Sequence, residues 1–128
     1  MILLDRNIPK PVATGLKCVR PDVRWLTDVP ELRDNTPDAA WLQYVGIHDW
    51  VAVTRDERIR YRSGEIAAAK KFDVGLFVLG SHGNKTKWVT FRTVVCHLDE
   101  MIDIWDHTPR PFIYIIYEQG PMRKIPLR

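Results

Sequence analysis

Cysteine is scarce in this chain, and its two copies, Cys18 and Cys96, lie far apart with no C-x-x-C pair. That spacing excludes a disulfide framework and a cysteine zinc site, leaving two buried thiols as the expectation. Long hydrophobic runs are missing too: nothing approaches the ~20 apolar residues of a membrane-spanning helix. The opening MILLDRNIPKP lacks the basic lead-in and apolar stretch of a signal peptide, because charge returns at Asp5. The chain is therefore read as cytoplasmic, with no membrane partner. Without G-x-S-x-G or a Cys–His pairing, nucleophilic hydrolase chemistry has no support. His48, His82, His97 and His107 show no ligand spacing. In the stretch from Gly80 to Thr86, Asn84 stands where a phosphate loop needs glycine before the lysine, so it reads as a strand-to-helix turn.

What is present describes an ordinary globular domain. The 128 residues, 45% hydrophobic and 27% charged, suffice for one domain spanning 1–128 with its own core. The net charge of +3 and pI near 9.0 permit an anionic partner, but the excess is small and its distribution has to carry that argument.

Short apolar runs alternate with helical patterns. Ile2 to Leu4 is a strand ending at Asp5, and Asn7, Pro9 and Pro11 begin a helix reaching about Lys17. A second strand at Val23 to Leu26 precedes a polar loop. A helix opens at Thr36-Pro37-Asp38, with Thr36 as N-cap, and continues to about Gly46. Val51 to Val53 forms a third strand ending at Thr54, and a helix opening at Ser63 or Gly64 runs through EIAAAKKF. Leu76 to Leu79 is a fourth strand. A long helix from about Asn84 to Asp106 carries the stripe Trp88, Phe91, Val95, Leu98, Ile102 and Trp105, read as core. Phe112 to Tyr117 is the fifth strand, followed by a basic tail, EQGPMRKIPLR, that the pattern does not assign. This alternation specifies an α/β three-layer domain around a mainly parallel sheet of about five strands.

Ligands in such sheets bind outside the carboxyl ends of the strands, where the strand order reverses. Asp5 ends strand one, Asp56 lies just past strand three, and Asp38 opens the helix after strand two, so all three belong to that edge. Carboxylates gathered at one spot raise one another's pKa unless a cation joins them, and hard oxygen ligands suit Mg²⁺ or Mn²⁺. Taken singly, each aspartate has an ordinary role, as a helix-dipole partner or a turn residue.

The opening Asp5-Arg6-Asn7, the helix start TPDAAWL and the strand ending Thr54-Arg55-Asp56 resemble the PIN-like domain family, particularly its short members related to VapC-type toxins of toxin–antitoxin systems. The resemblance implies a PIN-like three-layer α/β/α sandwich and an acidic pocket of Asp5, Asp38 and Asp56 that holds Mg²⁺ or Mn²⁺. It also implies endoribonuclease activity on an RNA substrate, restrained by a cognate antitoxin protein. Family members carry a further acid on a helix between the first two; here that interval offers only Asp22, Asp28, Glu31 and Asp34, in loop or strand context. Asp34 or Glu57 is the substitute to consider, against the more ordinary role of each as a solvated loop acid.

On this reading Asn7 and Thr54 hold the strand ends by hydrogen bonds to the carboxylates or backbone. Arg55, Arg58, Arg60 and Arg62, with Tyr61 among them, form a basic run beside Asp56 that suits flanking phosphates or an antitoxin segment. The long fourth helix is the surface for a possible homodimer. The alternative to a nuclease is the same fold with an incomplete site, acting as a non-catalytic protein- or RNA-binding module.

Overall fold

The computed structural model describes residues 1–33, 36–80 and 85–127. Five strands run parallel: β1 (Ile2–Leu4), β2 (Val23–Trp25), β3 (Val51–Thr54), β4 (Gly75–Leu79) and β5 (Phe112–Ile116). A sixth, β6 (Arg123–Ile125), pairs antiparallel with β5 at one edge, so the order across the sheet is β2-β1-β3-β4-β5-β6. The basic tail thus supplies a strand that its composition hid.

The helices are α1 (Lys10–Val19), α2 (Asp38–His48), α3 (Ser63–Lys71) and α4 (Lys87–His107). Alternate strand residues divide the core into two layers, because successive side chains in a strand point to opposite faces. Ile2, Leu4, Val51, Val53, Phe77 and Leu79 pack with Val12 and Leu16 of α1 and with Val94, Leu98 and Met101 of α4. Leu3, Ala52, Leu76 and Val78 pack with Trp41, Leu42 and Val45 of α2 and with Ala68 and Ala69 of α3. The result is the three-layer α/β/α sandwich. Central strands with both faces covered read as unbroken apolar runs, which is why β1, β3 and β4 are buried at every position.

Three local expectations are corrected. The N-cap of α2 is Pro37, not Thr36, and no side chain caps it; proline favours the first turn through its fixed φ instead. Trp88 and Val95 of the α4 stripe are 64% and 47% exposed, and the buried line runs through Thr90, Thr93, Val94, Leu98 and Met101. Thr90 and Thr93 tolerate burial because their hydroxyls donate to the carbonyls of Thr86 and Val89 at 3.0 and 2.8 Å. Hydropathy does not register that local satisfaction. Both cysteines are exposed rather than buried, lying on outward faces of α1 and α4.

Helices α2 and α3 touch where Gly46 meets the end of α3. A Cβ at Gly46 would stand 2.3 Å from the carbonyl oxygen of Phe72, whereas one at Gly64 would meet nothing within 4 Å. Gly46→Ala is therefore expected to destabilise by about 1–3 kcal/mol through overpacking. Gly64→Ala is expected to stabilise by about 0.5–1 kcal/mol, because alanine restricts the unfolded chain and favours helix. Urea unfolding of the two variants measures both.

Candidate acidic site

The chain passes from β1 through α1 to β2 on one side, then crosses to β3 on the other, so the order reverses between β1 and β3. Asp5 follows the last residue of β1, and its amide donates to the carbonyl of Val53 at 2.9 Å, continuing the pairing of the two strands. Thr54, fully buried at the end of β3, donates its hydroxyl to Asp5 Oδ2 at 2.7 Å and accepts from the Asp56 amide at 3.1 Å. Asn7 Nδ2 donates to the same hydroxyl oxygen at 3.3 Å, while Asn7 Oδ1 accepts from the Arg55 amide at 3.1 Å. Strand ends separated by nearly fifty positions in sequence are thereby fixed to one another.

Asp5 is 5% exposed. Burial pushes its carboxyl up from the usual range to about 6; the Thr54 hydroxyl and the Arg6 amide pull it back, and the negative charge of Asp38 pushes it further up. The Arg6 amide reaches Asp5 Oδ1 at 2.7 Å. Asp38 and Asp5 therefore share one electrostatic environment.

Asp38 lies in the first turn of α2, where the helix dipole favours an anion. Its Oδ1 accepts from Trp41 Nε1 at 2.9 Å, an i,i+3 contact that fixes the carboxylate from the protein side. Asp56 caps the short 3₁₀ segment Glu57–Tyr61, accepting the Arg58 amide at 3.1 Å. Asp38 and Asp56 meet across one guanidinium: Arg62 Nη1 donates to Asp38 Oδ2 at 3.1 Å and to Asp56 Oδ2 at 2.8 Å.

All three aspartates line one open pocket of about 700 Å³, together with Asn7, Arg55, Glu57 and Arg58. Arg62 turns inward onto the acids, and Arg60 faces a different groove. Asp22 and Asp28 are engaged elsewhere, with Arg20 at 2.6 Å and Lys17 at 2.8 Å. Glu31 lies in the 3₁₀ segment Pro30–Leu32. Asp34, His82 and Asn84 fall outside the described residues. Sequence reasoning did not foresee Trp41 or the inward turn of Arg62. The i,i+3 spacing of Asp38 and Trp41 was a signal for the first, but nothing in the sequence marked the second.

The donor chemistry of three carboxylates fits a hard divalent cation. The arrangement itself is not a preformed cage: among the described residues no three acidic, histidine or cysteine side chains are grouped to hold an ion. Arg62 supplies one positive charge shared between two of them.

A mainly parallel α/β sheet with carboxylates at the switch point is the framework of PIN-like domains, a nuclease-type fold. Residues 1–81 match the PIN like domain family, and the chain belongs to it. No curated protein and no solved structure gives a significant match. No helix among the described residues is long and apolar enough to cross a membrane.

Because folding raises the Asp5 pKa to about 6, the folded state keeps a proton there that the unfolded chain releases near 3.8. Stability from this group is full below pH 4 and falls as pH rises through 6, by up to about 3 kcal/mol. Asp5→Asn is expected to flatten that dependence and to stabilise the fold above pH 6. Its amide group faces Thr54, whose hydroxyl then turns to Asn7 Oδ1, 3.5 Å away. Denaturant unfolding of both proteins between pH 4.5 and 8 reads the difference.

Proposed function

We propose that this PIN-like domain is a metal-dependent endoribonuclease, the toxin of a toxin–antitoxin pair, cleaving RNA phosphodiester bonds at the acidic pocket. The observation that supports this most is Asp5. A carboxylate 5% exposed, destabilised by burial and by Asp38, and opening onto a pocket that also holds Asp56 is costly for folding. Such a group is retained where chemistry uses it.

Asp5 and Asp56 are the residues that would hold Mg²⁺ or Mn²⁺, with Asp38 as a further ligand or as the group orienting a water. When bound, such an ion supplies a polarised phosphoryl oxygen and a water of lowered pKa. The chain's own residues do the rest. Thr54 and Asn7 keep the Asp5 and Asp56 carboxylates in register through the bonds described above. Arg55 and Arg58, on the pocket wall, hold the phosphates either side of the scissile bond. Arg62 keeps Asp38 and Asp56 paired until its guanidinium is displaced, and the same arginine-bearing surface receives the antitoxin.

RNA cleavage is expected with Mg²⁺ or Mn²⁺ and to stop with EDTA. Asp5→Ala or Asp56→Ala should reduce it on the order of 100-fold or more while circular dichroism shows the fold intact. Robust cleavage by both variants would overturn the assignment. Arg62→Gln removes the competing cation, so calorimetric titration should show Mn²⁺ binding about fivefold more tightly, the scale of one exposed ion pair.

A second reading rests on that same arginine. Arg62 already bridges Asp38 and Asp56, and α1, the α-helix between Asp5 and Asp38 among the described residues, carries no acid. A domain of this kind is a binding module without catalysis. Absence of Mn²⁺ binding by both the wild-type chain and Arg62→Gln selects it.

A further inference from the structure

A second groove, of about 320 Å³, lies between the 3₁₀ segment Glu57–Tyr61 and the edge strand β6. Arg60, Tyr61, Ile66, Arg123, Ile125 and Pro126 line it. The 3₁₀ segment joins this groove to the acidic pocket, since Arg58 lines the pocket wall and Arg60 the groove. The Tyr61 ring is 71% exposed, and the Arg60 guanidinium lies 4.6 Å from its centroid. Among the described residues Arg60 Nε has no hydrogen-bond partner, and no carboxylate pairs with Arg60, Arg123 or Lys124. The groove thus sets an exposed aromatic ring beside cations that no carboxylate among the described residues pairs with.

We infer that this groove is a binding subsite for single-stranded RNA: one base stacks on Tyr61 while Arg60 and Arg123 hold the adjoining phosphates, extending the strand beyond the acidic pocket. Stacking on an exposed aromatic ring is available to every base, and guanidinium groups lining the same groove can pair with the phosphates of the stacked strand. The 3₁₀ segment carries the polynucleotide from one site to the other, because its arginines alternate between them: Arg58 at the pocket, Arg60 at the groove. An acidic peptide would satisfy the charges but make no use of the exposed part of the Tyr61 ring that Arg60 leaves open, and so fits less well. The inference rests on the nucleic-acid reading above and deepens it by placing substrate outside the acidic pocket.

The test is fluorescence anisotropy of a labelled 12-nucleotide oligouridylate, in EDTA so that the strand stays intact, with the full chain. Tyr61→Ala is expected to weaken binding about fivefold or more. Arg123→Ala should lower the slope of log affinity against log salt by about one. Lys70→Ala, a charge loss at the far end of α3, controls for net charge and should bind within about twofold of wild type. Thermal unfolding verifies that each variant is folded. If wild type binds the strand and both groove variants bind it equally well, this subsite is wrong and the nuclease reading stands. If wild type does not bind it, both fail. If Tyr61→Ala and Arg123→Ala lose a 12-residue polyglutamate but keep the RNA, the groove is a protein-binding surface and the inference is overturned.

Discussion

The hydroxyl of Thr54 is the junction on which the acidic edge depends. It is fully buried, and it joins the Asp5 carboxylate, the Asn7 amide and the Asp56 backbone amide. A buried hydroxyl left unsatisfied costs about 1–3 kcal/mol, so every one of those contacts reinforces the others. The ends of β1 and β3 are therefore set by one small group rather than by the loops that follow them. Rigid strands then present the carboxylates, and α2 brings the third from the side.

Charge balance at that edge follows from the geometry. Asp5 makes no ion pair among the described residues: burial raises its pKa, the Thr54 and Arg6 hydrogen bonds lower it, and the charge of Arg6 lowers it a little further against that of Asp38. Asp38 and Asp56 are shallower and share Arg62. Besides Glu57, the pocket thus contains one carboxylate destabilised by burial and two that share a single guanidinium, whose one positive charge offsets only part of theirs. Its outer wall carries Arg55 and Arg58, so an anion approaching from solvent meets positive charge first and negative charge behind it.

Much of the fold was legible because buried parallel strands are unbroken apolar runs, and the two central ones at the switch point, β1 and β3, stop at polar residues. Ile2 to Leu4 ending at Asp5 and Val51 to Val53 ending at Thr54 located the edge, and the helix start at Pro37-Asp38 located the third acid. β6 was not legible: prolines on both sides and a charged Arg-Lys pair mask a three-residue strand whose only strong requirement is pairing with β5. The buried face of α4 was misjudged because threonines that satisfy their own hydroxyls count as polar in any hydropathy pattern. The inward turn of Arg62 depends on the path of the 3₁₀ segment, which no spacing rule fixes.

β6 has a consequence for how this molecule behaves in a crowd of its own copies. A parallel sheet ending at β5 would expose a five-residue row of unpaired amides and carbonyls beside a strand of isoleucines, phenylalanine and tyrosine. The antiparallel return covers that row with only three residues, and two of them, Arg123 and Lys124, are exposed cations. Short, charged outer strands repel a second sheet margin before it can pair. The tail that looked merely basic thus guards the sheet against aggregation.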